Sequence, residues 1–135
     1  MQGGCLCGSV RYQLESPPRE AYYCHCRDCQ YLSGSAFHLI GIVDRSAFSR
    51  LCGELGQYTR RTEDGSEMTR EFCLSCGSPL YMTSSRFVDI QMFALNSLDQ
   101  PDIIEPGFEI WTRSKCGAAH IDADITSFRH GALDD

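Results

Sequence analysis

Residues 24–29 read Cys-His-Cys-Arg-Asp-Cys and place three thiols in the spacing C-x-C-x-x-C, which is too dense for ordinary core packing. Residues two apart on an extended backbone share a face, so Cys24 and Cys26 can point to one place. A helix that begins after Cys26 would bring Cys29 back toward them. Three thiols around one point favour Zn²⁺, which prefers tetrahedral sulfur ligands at ~2.3 Å. No neighbouring cysteine supplies a fourth ligand, so the pattern predicts a metal site with an open position.

Four further cysteines form two pairs that are far apart in the sequence. Cys5 and Cys7 are bracketed by glycines, and Cys73 and Cys76 form a C-x-x-C turn that is followed by Gly77. Such a turn directs both sulfurs and nearby N–H groups toward one ion. Because four thiolates complete a zinc coordination shell, we predict a structural site that links the N-terminal segment to the middle of the chain.

Length and composition fit one domain over residues 1–135, with 42% hydrophobic and 22% charged residues. We expect a cytoplasmic protein, because no stretch is long and apolar enough to span a membrane and the first residues lack signal-peptide features. In that compartment thiols stay reduced, so the nine cysteines predict metal ligands rather than disulfides. The net charge of −6 argues against nucleic-acid binding, which needs basic patches.

Short alternating segments predict a mainly β fold with short helical turns, pinned by zinc. A short helix is expected over residues 27–32, and a helical turn over residues 46–51. Strands are predicted over residues 10–14, 21–24, 37–43, 58–62, 68–72, 80–82, 87–93 and 109–112. The tail from Lys115 has little periodicity and is expected to be loosely held.

Four motifs resemble those of the glutathione-dependent formaldehyde-activating enzyme family, which is also named after centromere protein V. They are GCLCGSVRY at residues 4–12, CHCRDCQ at 24–30, SGSAF at 33–37 and FCLSCGSPL at 72–80. The resemblance implies an Mss4-like fold of folded-over β-sheets with two zinc ions. It implies a structural zinc on Cys5, Cys7, Cys73 and Cys76 and a catalytic zinc on Cys24, Cys26 and Cys29. The family's named activity, classed with carbon–sulfur lyases, adds formaldehyde to glutathione to give S-hydroxymethylglutathione.

Zinc held by three thiolates is electron-rich and suits a soft ligand, above all a thiol, whose pKa falls on coordination. We therefore predict a zinc-dependent carbon–sulfur lyase-like enzyme that acts on an adduct of a small thiol such as glutathione. Neither nucleic acid nor a membrane is an expected partner. His25 is the candidate catalytic residue, for proton transfer, although a surface histidine would look the same. Arg27 is the candidate for binding a substrate carboxylate, unless it pairs with Asp28 or Asp28 simply begins a helix.

A remote fourth ligand would change this interpretation. His25, His38, Cys52 or Cys116 could complete the second site, and both metals would then be structural. The protein would in that case be a zinc-stabilised protein-interaction module without catalysis, because fold alone does not determine function. Cys52 is otherwise expected to be a packed or free thiol. Cys116 lies where the chain departs from the usual pattern of the family.

Overall fold

In the computed structural model of the protein, residues 1–133 are described, and within them β-strands are joined by short helices and turns. The strands are β1 (Gln2–Gly4), β2 (Arg11–Leu14), β3 (Glu20–Cys24), β4 (His38–Asp44), β5 (Phe48–Cys52), β6 (Leu55–Arg61), β7 (Glu67–Cys73), β8 (Pro79–Ser84), β9 (Ile90–Ala94), β10 (Phe108–Ile110) and β11 (Thr126–Ser127). An α-helix, α1, spans Arg27–Ser33, and 3₁₀ helices span Arg45–Ala47, Leu95–Ser97, Pro101–Ile103 and Thr112–Ser114. The predicted mainly β fold with short helical turns is confirmed.

The strands form two sheets. β1, β2 and β5 make a three-stranded sheet in the order β1-β2-β5, and the other strands make an eight-stranded sheet in the order β11-β10-β3-β4-β9-β8-β7-β6. β10 runs parallel to both β3 and β11, whereas the other pairs are antiparallel. The strand that ends in Cys24 is therefore held between β4 and a strand from the C-terminal part of the chain.

Each face of the larger sheet has its own apolar core, because successive strand residues point to opposite faces. On β3, Ala21 belongs to the first core and Tyr22 to the second. The small sheet contributes to the first core, where Tyr12 lies edge-on to Tyr81 at 5.4 Å between ring centroids. The second core contains Cys24 and, from α1, Cys29. Helix α1 is therefore packed on the face of the large sheet opposite to the first core.

The short helix α1 forms because both of its ends are capped. Cys26 is the residue that precedes the helix, and its sulfur accepts a hydrogen bond from the Cys29 N–H at 3.3 Å. Gly34 ends the helix, and its N–H donates to the Gln30 carbonyl at 3.1 Å. A helix of seven residues is too short to be stable alone, so its packing on the sheet stabilises it. The predicted helix over residues 27–32 is confirmed.

One prediction of local structure, a helical turn, is wrong. Residues 46–51 do not form a helical turn, because only Arg45–Ala47 is a 3₁₀ helix and the chain then continues as β5. Phe48 begins β5 and stacks on Tyr12 at 5.5 Å between ring centroids, so packing outweighs the local pattern.

No helix of the described part of the chain has the length and apolar character needed to cross a bilayer.

The tail is also more firmly held than its weak periodicity predicts. β11 pairs with β10, and the Trp111 N–H donates to the His130 carbonyl at 2.9 Å. The Lys115 ammonium group lies 3.2 Å from both carboxylate oxygens of Glu109. These contacts join the segment after residue 110 to the edge of the large sheet.

Candidate functional site

The fold brings together, beside the first core, the four cysteines of the predicted structural site, Cys5, Cys7, Cys73 and Cys76, which we call the four-sulfur group. Their sulfurs all lie within 4.8 Å of one another, although Cys7 and Cys73 are 66 residues apart. Gly8 and Gly77 follow the two cysteine pairs with φ angles of 82° and 76°, a left-handed conformation that glycine adopts at little cost. These turns let both pairs face the same point. Cys5 and Cys73 are buried, and Cys7 is exposed.

Backbone and hydroxyl donors surround these four sulfurs. The Val10 N–H donates to the Cys5 sulfur at 3.2 Å, and the Ser75 and Cys76 N–H groups donate to the Cys73 sulfur at 3.3 and 3.4 Å. The hydroxyl of Ser78, 3.1 Å from the Cys76 sulfur, is the largest cause that lowers the pKa of Cys76 to about 5. Donors of this kind stabilise thiolates, the form that binds metal.

The other three cysteines, Cys24, Cys26 and Cys29, form the three-sulfur group and lie where β3 ends and α1 begins. Their sulfurs also lie within 4.8 Å of one another. Cys24 ends β3, Cys26 caps α1, and Cys29 lies in the first turn of that helix. Cys24 and Cys29 are buried, whereas Cys26 is partly exposed. The group is therefore accessible from the side of Cys26.

Close packing separates the proton affinities of these three thiols. Contacts with Cys24 and Cys29 lower the pKa of Cys26 to about 3. Contacts with Cys26 and Cys29, together with burial, raise the pKa of Cys24 well above its ordinary value. Three neighbouring thiols thus resist becoming three thiolates unless a cation joins them. A thiophilic divalent ion such as zinc fits both groups, because each offers sulfur ligands close enough to share one ion.

Within residues 1–133, no other histidine, cysteine or carboxylate joins the three-sulfur group, so the proposed remote ligands lie elsewhere. The His25 ring points to Glu109. His38, on β4, lies directly opposite Cys24 of β3 but stays outside the group. Cys52 is exposed and 3.6 Å from the Ser9 carbonyl, in the small sheet. Cys116 lines a surface cavity beside α1.

His25 is buried, with no exposed side-chain surface, so it is not a surface histidine. Its Nε2 donates to Glu109 Oε2 at 2.8 Å, and its Nδ1 is buried without a partner among the described residues. Glu109 also accepts from Lys115 at 3.2 Å and from the Ser127 hydroxyl at 2.7 Å. The backbone is held as well, because the His25 N–H donates to the Ile110 carbonyl at 3.1 Å. His25, which lies between Cys24 and Cys26, is thus held in place by β10.

Arg27 and Asp28 point in different directions. Arg27 is exposed, lies 4.8 Å over the Tyr31 ring and hydrogen-bonds the side chain of Gln30. Asp28 lies in the first turn of α1 and forms an ion pair with Arg60 of β6 at 3.2 Å. The alternative of an Arg27–Asp28 pair is therefore wrong, and the alternative of a helix-start acid is confirmed. Arg27 lies at the surface beside Gln30 and Tyr31, and its role in binding a substrate carboxylate stays a prediction.

Two cavities lie close to α1. One of about 470 Å³ is lined by residues that include Arg27, Tyr31 and Cys116. Another of about 490 Å³ lies between the end of α1 and the loop that carries Cys5, with His38 in its wall. Both volumes are in the range of small-molecule sites. The two cavities therefore adjoin the helix of the three-sulfur group on different sides.

Sequence reasoning did not single out Glu109 or Arg70. Glu109 meets His25 across 84 residues, and no motif marks it. An acidic residue in an apolar segment, Phe108-Glu109-Ile110, was the available signal, because buried acids need partners. Arg70 lies on β7 and faces the second core, where its positive charge acts on the pKa of His38 and Cys26. An arginine between Met68 and Phe72 in a predicted strand was the corresponding signal.

Comparison with known proteins agrees with the motifs. The family model described as glutathione-dependent formaldehyde-activating enzyme matches residues 1–114. A crystal structure of a Rhodobacter sphaeroides protein is similar, with a TM-score of 0.62 and 18% sequence identity, over 95% of this chain and 99% of that one. At this identity the likeness concerns the fold. Among curated protein sequences, none matches the chain.

Proposed function

The chain belongs to the glutathione-dependent formaldehyde-activating enzyme family, and we propose that it joins a small thiol such as glutathione to formaldehyde, or releases formaldehyde from the adduct. The observation that carries this proposal is the three-sulfur group, which lacks a fourth protein ligand within residues 1–133. In the forward direction a C–S bond forms and the carbonyl π bond breaks. The proton lost by the thiol ends on the oxygen of the new hydroxymethyl group.

Each cysteine group would hold one zinc ion, with different consequences. Cys5, Cys7, Cys73 and Cys76 offer a complete shell, so this ion would be structural. Cys24, Cys26 and Cys29 offer three ligands, and zinc bound there would lower the pKa of a thiol at its remaining position. We expect the protein in the cytoplasm, where thiols stay reduced and can serve as metal ligands.

The side chains around the three-sulfur group would orient the substrate. Arg27 lines the cavity of about 470 Å³ and can bind a carboxylate of glutathione at the protein surface. His25 is fully buried and bound to Glu109, so we assign it a positioning role rather than proton transfer. Its hydrogen bond fixes the backbone between Cys24 and Cys26, which aligns their sulfurs.

The proposal is tested by following S-hydroxymethylglutathione formation by NMR, using the zinc-loaded protein with glutathione and formaldehyde. We expect turnover above the spontaneous reaction for the wild type. Cys26→Ser should return to the spontaneous rate, whereas Cys52→Ser, an exposed cysteine outside both groups, should behave like the wild type. Equal rates with and without the protein would instead support the protein-interaction module with two structural ions.

A further inference from the structure

Arg70 of β7 faces the second core of the large sheet. It lies opposite Met82 and Tyr58 on the neighbouring strands. Met82 belongs to that core, and Met68 packs against it. Its neighbour Glu71 points to the other face, where Arg50 binds it at 2.8 Å. The guanidinium of Arg70 is therefore on the face that carries Cys24 and α1.

This guanidinium is short of partners. Its Nε and Nη1 atoms are buried and make no hydrogen bond to any described residue. Asp28, the acid in the first turn of α1, is paired with Arg60. Arg70 is half-buried, and its two shielded atoms leave part of the charge without the water or the acceptor that would balance it, so a nearby negative group is needed.

The three-sulfur group, once it holds a metal ion, is the anionic group on this face of the sheet. Asp28, which directly precedes Cys29 in α1, forms its ion pair with Arg60 of β6, and β6 is the strand next to β7, so the first turn of α1 lies over this part of the sheet. Burial, and then the charge of Arg70, lower the pKa of His38 to about 4, so this histidine is neutral. His38 therefore neither replaces nor cancels the charge of Arg70.

The charge of the loaded site explains why a cation is needed there. One divalent ion with three thiolates carries a net charge of −1, and a substrate thiolate as a fourth ligand makes it −2. In a partly buried site such a charge is poorly screened by solvent. We propose that Arg70 is the positioning residue that balances this charge and so makes the three-sulfur site accept an anionic thiol. This inference rests on the proposed function.

The experiment measures thiol binding to protein loaded with Co²⁺, through the thiolate-to-cobalt charge-transfer absorption. The probes are glutathione and 2-mercaptoethanol, which has no carboxylate. We expect Arg70→Met to weaken both about tenfold or more and Arg70→Lys to weaken them less, because lysine keeps the charge. The matched control is Arg61→Met, which removes an exposed arginine of the adjacent strand and should leave binding unchanged. Unchanged binding in Arg70→Met, or a loss confined to glutathione, would overturn the inference.

Two further measurements separate this inference from the proposed function and from a simple packing role. Competition with a chelator, without thiol, should show that Arg70→Met weakens the second metal site about tenfold, even if no thiol substrate exists. In the Cys26→Ser background, where that ion is not held, Arg70→Met should keep or raise the Tm, because the charge then has no partner. An unchanged second-site affinity, or an equal loss of Tm in both backgrounds, would contradict the proposal. Arg70→Gln provides the same test if Arg70→Met does not fold.

Discussion

The two cysteine groups differ in what they connect. The four-sulfur group joins segments that lie 66 residues apart, and Cys5 and Cys73 are part of the first core. The three-sulfur group is local, because its members lie within six residues of one another at the end of β3. A long-range cross-link limits the unfolded chain strongly, whereas a local one limits it little. We therefore expect the first group to stabilise the fold and the second to carry chemistry.

Cys73→Ser should show the largest loss of stability. It removes a sulfur that is buried in the first core and belongs to the group that joins β7 to the N-terminal segment. Because structural zinc binding contributes about 10–16 kcal/mol in zinc-finger peptides, we expect a loss of several kcal/mol or failure to fold. Circular dichroism during heating and metal analysis measure this. A variant with wild-type Tm and one ion fewer would show that the four-sulfur group does not stabilise the fold.

Glu109→Gln should have the second largest effect, because it leaves buried His25 and Lys115 without their shared carboxylate. We expect a loss of about 3 kcal/mol in urea unfolding at neutral pH. Burial opposes ionisation of Glu109, but hydrogen bonds from Ser127, His25 and Lys115 outweigh it and lower its pKa.

The pH dependence gives this prediction a sign. A carboxylate with a lowered pKa in the folded state stabilises the fold above its ordinary pKa of 4.5. That stabilisation is lost as the pH falls through the folded-state value. The difference between wild type and Glu109→Gln should therefore shrink below about pH 4.5. A difference that is constant between pH 7 and 3 would mean that the effect is packing and not charge.

Cys26→Ser should reduce the metal content by one ion but lower the free energy of unfolding by only about 1 kcal/mol. The three cysteines of this group lie within six consecutive residues, so linking them restricts the unfolded chain little. Metal analysis and thermal unfolding of the same sample check both parts. The distinction between the groups fails if this variant unfolds as readily as Cys73→Ser.

Cys116→Ser should have the smallest effect, below about 0.5 kcal/mol, because Cys116 is partly exposed and outside both groups. Metal content should stay at two ions. Loss of the second ion in this variant would identify Cys116 as a ligand and favour the structural alternative.

The sequence was informative where chemistry is local. Spacing alone grouped Cys24, Cys26 and Cys29, and the start of α1 closes that group as expected. The assignment of Cys5, Cys7, Cys73 and Cys76 to one group also followed from their spacing. Such motifs predict which sulfurs lie together, because cysteine is rare and the positions of nearby sulfurs depend on a few backbone angles.

The contacts that surround the three-sulfur group could not be predicted in the same way. Glu109 reaches His25 only because β10 joins the edge of the sheet in parallel with β3. Arg70 is on the face of the second core only because of its register with Tyr58 and Met82 on the neighbouring strands. Strand order and register depend on packing of the whole chain, and β5 shows the same limit, since packing against Tyr12 outweighs its local helical pattern.

The parallel pairing of β10 with β11 has a practical meaning for where this protein can be shortened. The match to the family model ends at residue 114, yet Lys115 and Ser127 beyond it complete the partners of Glu109. A fragment trimmed at that match would leave the carboxylate of Glu109 without Lys115 and Ser127, so that His25 would be its remaining side-chain partner among residues 1–114. The contacts that hold the sheet edge therefore extend past the recognisable motif, and expression fragments should retain the chain at least to His130, whose carbonyl accepts from the Trp111 N–H.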